Sequence, residues 1–270
     1  MSGRDLLGVF NLIVVAGILA GISYLAFTLQ PEEYDPDTLC LAGVTPPHRV
    51  VVLDKTDLYS MDQAEAIAGV IVGERDRLAV GERLSLYELN ERGNLSDTNN
   101  FSLCNPGNGD QVNPLYRNPD RVQARYQALF AGPLQSALAD LVTPKDAPQS
   151  PILEALAGLT HEAAFDRNVP GRHITLVSDM LQNSEIFTVY GRGRGSIEER
   201  LPDPIQVAEA LEAQYGDGLM GVTLEIRLIP RSGWEEDQHG PLRAYWDQVF
   251  RQLGVRARWS ELPGGSGAVG

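Results

Sequence analysis

Lysine is almost missing from this sequence, in which Lys55 and Lys145 are the only two. Lysine and arginine together number 22 against 36 aspartates and glutamates, so the chain has a formal net charge of -14 at pH 7. Such a surface repels the phosphate backbone of nucleic acids, and it cannot assemble a lysine-rich patch for anionic lipid. We therefore do not expect this chain to bind nucleic acid.

Several catalytic signatures are missing as well. The sequence has no GxSxG motif of a serine hydrolase, and GRGRG at residues 191–195 lacks the GxGxxG spacing of a dinucleotide-binding loop. The four histidines do not have the close spacing of a zinc site. They are His48, His161, His173 and His239. We expect them at the surface or beside strands.

Charge is absent from one long stretch near the N-terminus, which runs from Leu6 to Leu29. This stretch has the length of about 20 residues or more that a bilayer requires, whereas the apolar part of a signal peptide has about 7–15 residues. A helix that is apolar on every face belongs in lipid or in a large core, and this chain has no spare core of that size. The stretch predicts a retained membrane anchor within residues 1–30, with a cleaved signal peptide as the alternative.

The flanks of the apolar stretch predict its orientation. Arg4 precedes it, whereas the acidic, proline-containing segment 31–48 follows it and is predicted to be a linker. Positive charge favours the cytoplasmic side of a membrane. We therefore expect a single-pass protein with its N-terminus in the cytoplasm and its soluble domain outside it, in the periplasm of a bacterial envelope.

Cysteine occurs only twice, at Cys40 and Cys104. In an oxidising compartment the two would form a disulfide between the start of the domain and its middle. The alternative is a pair of unpaired, buried thiols.

Residues 49–262 alternate short apolar runs with helical patterns. VVVLD, RLSLYEL, HITLVSD and TLEIRLIP are too short for helices and rich in β-branched residues, as is typical of buried strands, and VRARW predicts an edge strand. Apolar residues at helical spacing predict helices near residues 61–72, 120–130, 151–159, 205–215 and 242–253. Gly132 and Pro133 are expected to break the second of these helical regions.

This alternation predicts an α/β fold, with a doubly wound, mostly parallel sheet flanked by helices. Residues 263–270 are glycine-rich and predict a flexible tail. In such sheets binding sites lie at the carboxyl ends of the strands. Asp54 and Asp179, which end two of the predicted strands, are therefore candidate site residues.

Oxygen-bearing side chains collect at these strand ends. Those that end or follow the first strand are Asp54, Thr56, Asp57 and Ser60. Asp179 ends a later strand, and Ser150 opens the helix before that strand. Clusters of oxygen ligands suit hard cations such as Mg²⁺ or Ca²⁺. The alternative role for Ser150 and Asp179 is to cap helices.

Three segments together resemble the metal-ion-dependent adhesion site of von Willebrand factor type A (VWA) domains. These segments are VVVLDKTDLYS, QSPILEALAGL and HITLVSDMLQ. The family combines a D-x-S/T-x-S turn after its first strand, a Thr or Ser that opens a middle helix, and an Asp that ends a later strand. The resemblance extends from about Arg49 to Trp259. It implies a VWA-like fold and a metal site made of Asp54, Thr56, Ser150 and Asp179.

The resemblance has one departure, because Leu58 stands where the family has its second serine. Asp57 and Ser60 lie nearby but out of register, so they are secondary candidates. The resemblance implies a site that either binds Mg²⁺ (or Ca²⁺ or Mn²⁺) or has lost its metal. In both cases it implies a non-enzymatic interaction or assembly module of the cell envelope, whose partner is another envelope or membrane protein.

Two alternatives to an interaction module stay open. VVVLDKTD also resembles the first motif of haloacid dehalogenase-type phosphatases, which would make Asp54 a phosphoryl-accepting nucleophile. That chemistry needs a hydroxyl at the end of a second strand, which Ser178 supplies, followed by a lysine, whereas Lys145 precedes Ser178. The other alternative is a purely structural subunit of a membrane complex.

Overall fold

The computed structural model describes most of the chain, namely residues 3–28, 33–55, 60–89, 95–96, 101–115, 117–141, 149–191 and 196–262. The chain divides into two compact units, Met1–Tyr34 and Asp35–Gly270. The predicted flexible tail, residues 263–270, and residues 192–195 of the GRGRG segment lie outside the described residues.

The first unit contains helix α1 (Gly3–Thr28). Its segment Gly8–Leu25 is apolar, and none of its residues is buried. Among the described residues it is the one helix long and apolar enough to cross a membrane, and a signal sequence near an N-terminus has the same properties. The structure thus contains the apolar helix that the sequence predicts.

Within the described residues of the second unit, seven strands form a single sheet. They are β1 (His48–Asp54), β2 (Arg83–Leu89), β3 (Leu95–Ser96), β4 (Ser102–Cys104), β5 (Arg172–Ser178), β6 (Thr223–Leu228) and β7 (Arg256–Glu261). The sheet order is β3-β2-β1-β5-β6-β7, with β4 also paired to β2. Only β3 and β4 run antiparallel to their neighbour. The predicted α/β class with a mostly parallel sheet is confirmed.

Helices and helical turns connect and cover these strands. They are α2 (Met61–Arg77), α3 (Pro119–Tyr126), α4 (Gly132–Leu141), α5 (Ile152–Leu159), α6 (Ile197–Arg200), α7 (Pro204–Tyr215), α8 (Glu235–His239) and α9 (Pro241–Gln252). The predicted break at Gly132 and Pro133 is wrong. A π-helical turn, Gln127–Ala131, joins α3 to α4, and Pro133 lies in the first turn of α4, where proline is tolerated.

The core lies on both faces of the sheet because successive side chains of a strand point to opposite faces. In β1, Val50 and Val52 pack with α5, α7 and α9, including the fully buried Trp246. Val51 and Leu53 pack on the other face with α2 and α4. Burial on both faces explains why the central strand is a continuous apolar run rather than an alternating one.

The segment before β1 is attached to the domain, although the sequence predicts residues 31–48 as a linker. Leu39 is buried, and Cys40 is joined to Cys104 of β4 by a disulfide. The Cys104 N–H also donates a hydrogen bond of 2.8 Å to the carbonyl of Thr38. The second half of the predicted linker is therefore part of the folded unit.

His48 opens β1 and is fully buried, so of the two positions expected for the histidines it has the one beside a strand. Its Nδ1 lies 2.6 Å from the carbonyl oxygen of Ala164, which can only accept, so Nδ1 carries the proton. Nε2 then accepts from the Ser85 hydroxyl at 2.7 Å. Ser102 lies 2.5 Å from Ser85 and accepts from Arg83 Nε. The neutral imidazole thus completes a directed chain of hydrogen bonds across three strands.

Removing the disulfide is expected to destabilise the domain. The bridge closes a loop across 64 residues, so Cys40→Ser with Cys104→Ser should lower the free energy of unfolding by about 2–4 kcal/mol. Urea denaturation of the full chain in detergent, followed by tryptophan fluorescence, measures this. The oxidised wild-type protein treated with reductant should behave like the double variant, and an unchanged midpoint in both would contradict the prediction.

Acid is expected to destabilise the domain through His48. Burial lowers the pKa of His48 to about 4, whereas an unfolded histidine titrates near about 6.5. The unfolded chain therefore binds the proton first, so the stability contributed by neutral His48 is complete above pH 6.5 and is lost as pH falls towards 4. A shift of this size corresponds to about 3 kcal/mol.

Urea denaturation at a series of pH values between 7.5 and 4 measures this loss. Burial also lowers the pKa of His173, so this histidine contributes in the same direction. The variant His48→Gln should be less stable than the wild type at neutral pH and should lose less stability on acidification. An equally steep pH dependence in this variant would contradict the role of His48.

Candidate functional site

The Asp54 carboxylate lies at the carboxyl end of the central strand β1 and is only 4% exposed. Its Oδ2 accepts hydrogen bonds from two hydroxyls, that of Ser178 at 2.8 Å and that of Ser150 at 3.1 Å. Ser178 ends the neighbouring strand β5, and Ser150 precedes helix α5. Three segments that are distant in sequence therefore meet at one carboxylate oxygen.

Ser150 reaches this position because its backbone is fixed outside the helix. It forms a two-way bridge with Asn183, with N–H to carbonyl distances of 2.9 and 3.0 Å. Helix α5 begins two residues later, and the N–H of Leu153 is satisfied by the side chain of Gln182 instead of by a serine cap. The Ser150 hydroxyl is thus directed to Asp54, which corrects the expectation that it caps the helix.

Asp179 follows β5 directly and binds a cationic side chain. Its Oδ2 lies 2.7 Å from Nε of Arg231, which comes shortly after β6, and its Oδ1 accepts from the N–H of Leu181 at 2.9 Å. Asp179 is 3% exposed and the Arg231 side chain 18%. The alternative role of Asp179, to cap a following helix, is wrong, because residues 180–191 form turns and irregular backbone and not a helix.

The turn after Asp179 is held by two further side chains. Gln238 donates to the carbonyl of Asp179 at 2.8 Å and accepts from the N–H of Arg231 at 2.9 Å. Trp246 donates its indole N–H to the carbonyl of Met180. Met180 has a φ of 61°, an unusual backbone conformation for a residue with a side chain. Contacts from α8 and α9 therefore fix a turn that the local sequence disfavours.

A buried ion pair lies beside this cluster. Lys55, the residue after Asp54, places Nζ 3.0 Å from the Glu88 carboxylate near the end of β2, and both side chains are at least 93% buried. Ion pairs of this kind are costly to break because one charge is left in a medium of low polarity. The pair therefore ties the carboxyl ends of β1 and β2 together.

The remaining predicted ligands do not join Asp54 in the described part of the structure. Ser60 forms a capping box at the start of α2, accepting from the N–H of Gln63 at 3.2 Å while its own N–H donates to Gln63 Oε1. Ser60 is therefore a helix cap, and its role as a secondary candidate ligand stays a prediction. Thr56 and Asp57 lie outside the described residues.

The divalent cation expected at Asp54, Thr56, Ser150 and Asp179 stays a prediction, because Thr56 lies outside the described residues. Among them, no group of three or more histidine, cysteine, aspartate or glutamate side chains is arranged to hold a metal. Asp54 accepts from two hydroxyls, and the guanidinium of Arg231 brings a positive charge to Asp179. The arrangement supports the shape of the strand-end loops through hydrogen bonds and ion pairs within the protein.

Sequence reasoning missed Arg231, Gln238, Lys55 and Glu88. Two of them could have been found from the sequence, because Arg231 directly follows the apolar run TLEIRLIP and Lys55 directly follows VVVLD. The ends of such runs are where Asp54 and Asp179 were identified. Gln238 lies in a short polar helix with no such signal.

No protein-family model and no curated protein matches this sequence. Among solved structures, the chain is similar to the pilus adhesin SpaC from Lactobacillus rhamnosus GG in its open conformation, with 11% identity, a TM-score of 0.40 and coverage of 81% of this chain. The match spans only 28% of that adhesin. The chain is also similar to the conserved hypothetical protein BatB from Bacteroides thetaiotaomicron, with 12% identity, a TM-score of 0.34 and coverage of 80% of this chain and 90% of that one.

Loss of the guanidinium at Arg231 is expected to destabilise the domain. Arg231→Met leaves the buried Asp179 carboxylate without its cation, which should lower the free energy of unfolding by about 2–4 kcal/mol. The measurement is urea denaturation at pH 7. The second change Asp179→Leu, made together with Arg231→Met, should restore part of the loss because it removes the uncompensated charge.

Arg251→Met is the matched control, since Arg251 is exposed near the end of α9. It should change the free energy of unfolding by no more than about 0.5 kcal/mol. Equal losses in the Arg231 and Arg251 variants would show that the ion pair with Asp179 does not stabilise this edge of the sheet.

Proposed function

We propose that this chain is a membrane-anchored protein-interaction module of the cell envelope, and that its partner docks at the carboxyl edge of the sheet. The observation that carries the proposal is an exposed apolar rim around the buried strand-end cluster. Met61, which opens α2 after the β1 turn, is 84% exposed, and Tyr190, in the segment after β5, is 45% exposed. Exposed apolar and aromatic side chains beside a rigid surface are typical of docking sites.

A hydrogen bond and an aromatic contact within the domain hold the part of the rim that carries Tyr190, which favours binding without rearrangement. The N–H of Val189 donates to the carbonyl of Gln182 at 3.0 Å, so the segment that carries Tyr190 turns back to the strand ends. The Tyr190 ring meets Trp234, which follows β6, edge to face with a centroid distance of 5.4 Å. When a partner buries aromatic rings that are already held in place, this chain loses little conformational entropy on binding.

The buried cluster supports a structural role for the aspartates more than a catalytic one. Asp54 is almost completely buried, and Ser178, which the phosphatase alternative requires as a separate phosphate ligand, donates its hydrogen bond to Asp54. Within our proposal the chain is not an enzyme, and Asp54, Ser150 and Asp179 shape the loops of the docking face.

Helix α1 supports anchoring in a membrane, and the Cys40–Cys104 disulfide supports an oxidising compartment for the domain. We therefore propose that the domain lies outside the cytoplasm, with Arg4 on the cytoplasmic side. The docking edge would then face other envelope or membrane proteins.

Docking at the carboxyl edge predicts a specific loss of the partner. The double variant Met61→Glu, Tyr190→Glu places two charges on the apolar rim, so the amount of native partner that co-purifies from membranes in mild detergent should fall at least about tenfold. Quantitative mass spectrometry of the purified complexes measures this. Val80→Glu is the control, because Val80 is 56% exposed and precedes β2 at the opposite edge.

Partner loss in Val80→Glu to the same extent, or none in the double variant, would contradict docking at this edge. The role of a cation is tested in the same preparation by calorimetric titration with Mg²⁺, Ca²⁺ and Mn²⁺. Because Arg231 supplies the positive charge at Asp179, we expect the partner to be retained in EDTA. Saturable metal binding that Asp54→Ala abolishes would instead support an adhesion-type metal site, and phosphatase turnover lost in Asp54→Asn would support the enzyme.

A further inference from the structure

A second, chemically different feature lies at the amino edge of the sheet. Here a cleft of about 500 Å³ opens where β1, β5, β6 and β7 begin. Its lining includes four arginines, Arg49, Arg167, Arg172 and Arg256, against one carboxylate, that of Glu82. This is an unusual concentration of positive charge in a chain with 22 basic and 36 acidic residues.

Part of the cleft wall is a row of side chains from neighbouring strands. Arg49 is in register with His173, His173 with Thr223, and Thr223 with Arg256. Residues in register across a sheet point to the same face. The sheet therefore presents four polar side chains side by side, with a guanidinium at each end of the row.

Two of the four arginines are neutralised within the protein. Arg49 pairs with Glu74 at 2.9 Å and with Glu82 at 3.3 Å. Arg167 pairs with the carboxylate of Asp217 at 2.7 Å. These arginines contribute little net charge to the cleft.

Arg172 and Arg256 are different, since both donate hydrogen bonds to uncharged backbone carbonyl groups. Arg172 donates to the carbonyls of Gly218 and Met220 at 2.6 Å each, and Arg256 donates to that of Gly221 at 3.2 Å. Within the described part of the chain, neither arginine forms an ion pair with a carboxylate. The cleft thus carries two arginines that no described carboxylate contacts at ion-pair distance.

The surroundings of Arg172 also disfavour its charged form. Arg172 is 9% exposed, and burial followed by repulsion from Arg167 lowers the pKa of its guanidinium. Attraction to the Asp166 carboxylate acts in the opposite direction, and a bound anion would strengthen that compensation.

We propose that this cleft binds a phosphate monoester as its dianion, with Arg172 and Arg256 as the charge-compensating residues. Two guanidiniums without an ion pair suit the two negative charges of a phosphate monoester better than the single charge of a carboxylate. The planar guanidinium fork suits phosphate oxygens, and Arg256 is exposed, so it is accessible to a ligand from solvent. The volume of the cleft lies within the range of small-molecule sites, about 300–1,000 Å³.

The phosphate group has two possible sources, a soluble phosphorylated metabolite and a lipid with a phosphate-monoester headgroup. The test is calorimetric titration of the full chain in detergent at pH 7.5 and low salt. Three probes are used in turn: inorganic phosphate, glycerol 3-phosphate and dihexanoyl phosphatidic acid. We expect saturable binding of at least one probe with one site per chain, and no saturable binding of acetate. The tightest probe identifies the source.

The variant Arg256→Gln removes one guanidinium without an ion pair at an exposed position, so it should fold normally and weaken phosphate binding at least about tenfold. Arg172→Gln should weaken it as well, with circular dichroism to check the fold. Arg251→Gln, at an exposed site on α9, is the matched control and should bind like the wild type. No saturable binding of any phosphate probe, or the same loss in Arg251→Gln as in Arg256→Gln, would overturn the proposal.

Discussion

The Asp54 carboxylate at the end of the central strand sets the constraint around which the carboxyl edge is built. A carboxylate this deeply buried needs hydrogen-bond donors, because an uncompensated charge in the interior is costly. Ser150 and Ser178 supply two, although they lie 96 and 124 residues further along the chain. The segment before α5 and the end of β5 must therefore converge on β1. Arg231 does the same for Asp179, which brings the segment after β6 into the cluster.

Much of the fold follows from local sequence. Short β-branched runs predict the parallel strands, because a strand covered on both faces must be apolar throughout. The same reasoning fails at Gly132 and Pro133, where the sequence favours a break but a π-helical turn keeps the helix continuous. It also fails at Leu39 and Cys40, whose burial depends on a disulfide to a strand 64 residues away. Local propensity cannot show a contact that only the tertiary fold creates.

The candidate site also combines residues that the sequence identifies with residues that only the tertiary fold brings together. Asp54 and Asp179 could be identified because strand ends in a parallel sheet meet at one edge, and Ser60 carries a local S-x-x-Q capping box that assigns it to α2 instead. The partner of Asp179 could not be identified from the sequence, because Arg231 lies 52 residues away and no periodicity links the two. Its guanidinium places a positive charge of the chain itself at Asp179, whereas the metal that the VWA resemblance implies stays a prediction.

The two edges of the sheet therefore differ in how their charged side chains are paired. At the carboxyl edge Asp54 and Asp179 are matched by donors or a cation of the same chain, so our proposal assigns the partner to shape and apolar surface. At the amino edge Arg172 and Arg256 donate hydrogen bonds to the turn before β6, which fixes their positions, and neither forms an ion pair with a described carboxylate. Fixed guanidiniums without an ion pair bind an anion with little reorganisation. The physical difference between the edges thus predicts different ligands, a protein surface at one and an anion at the other.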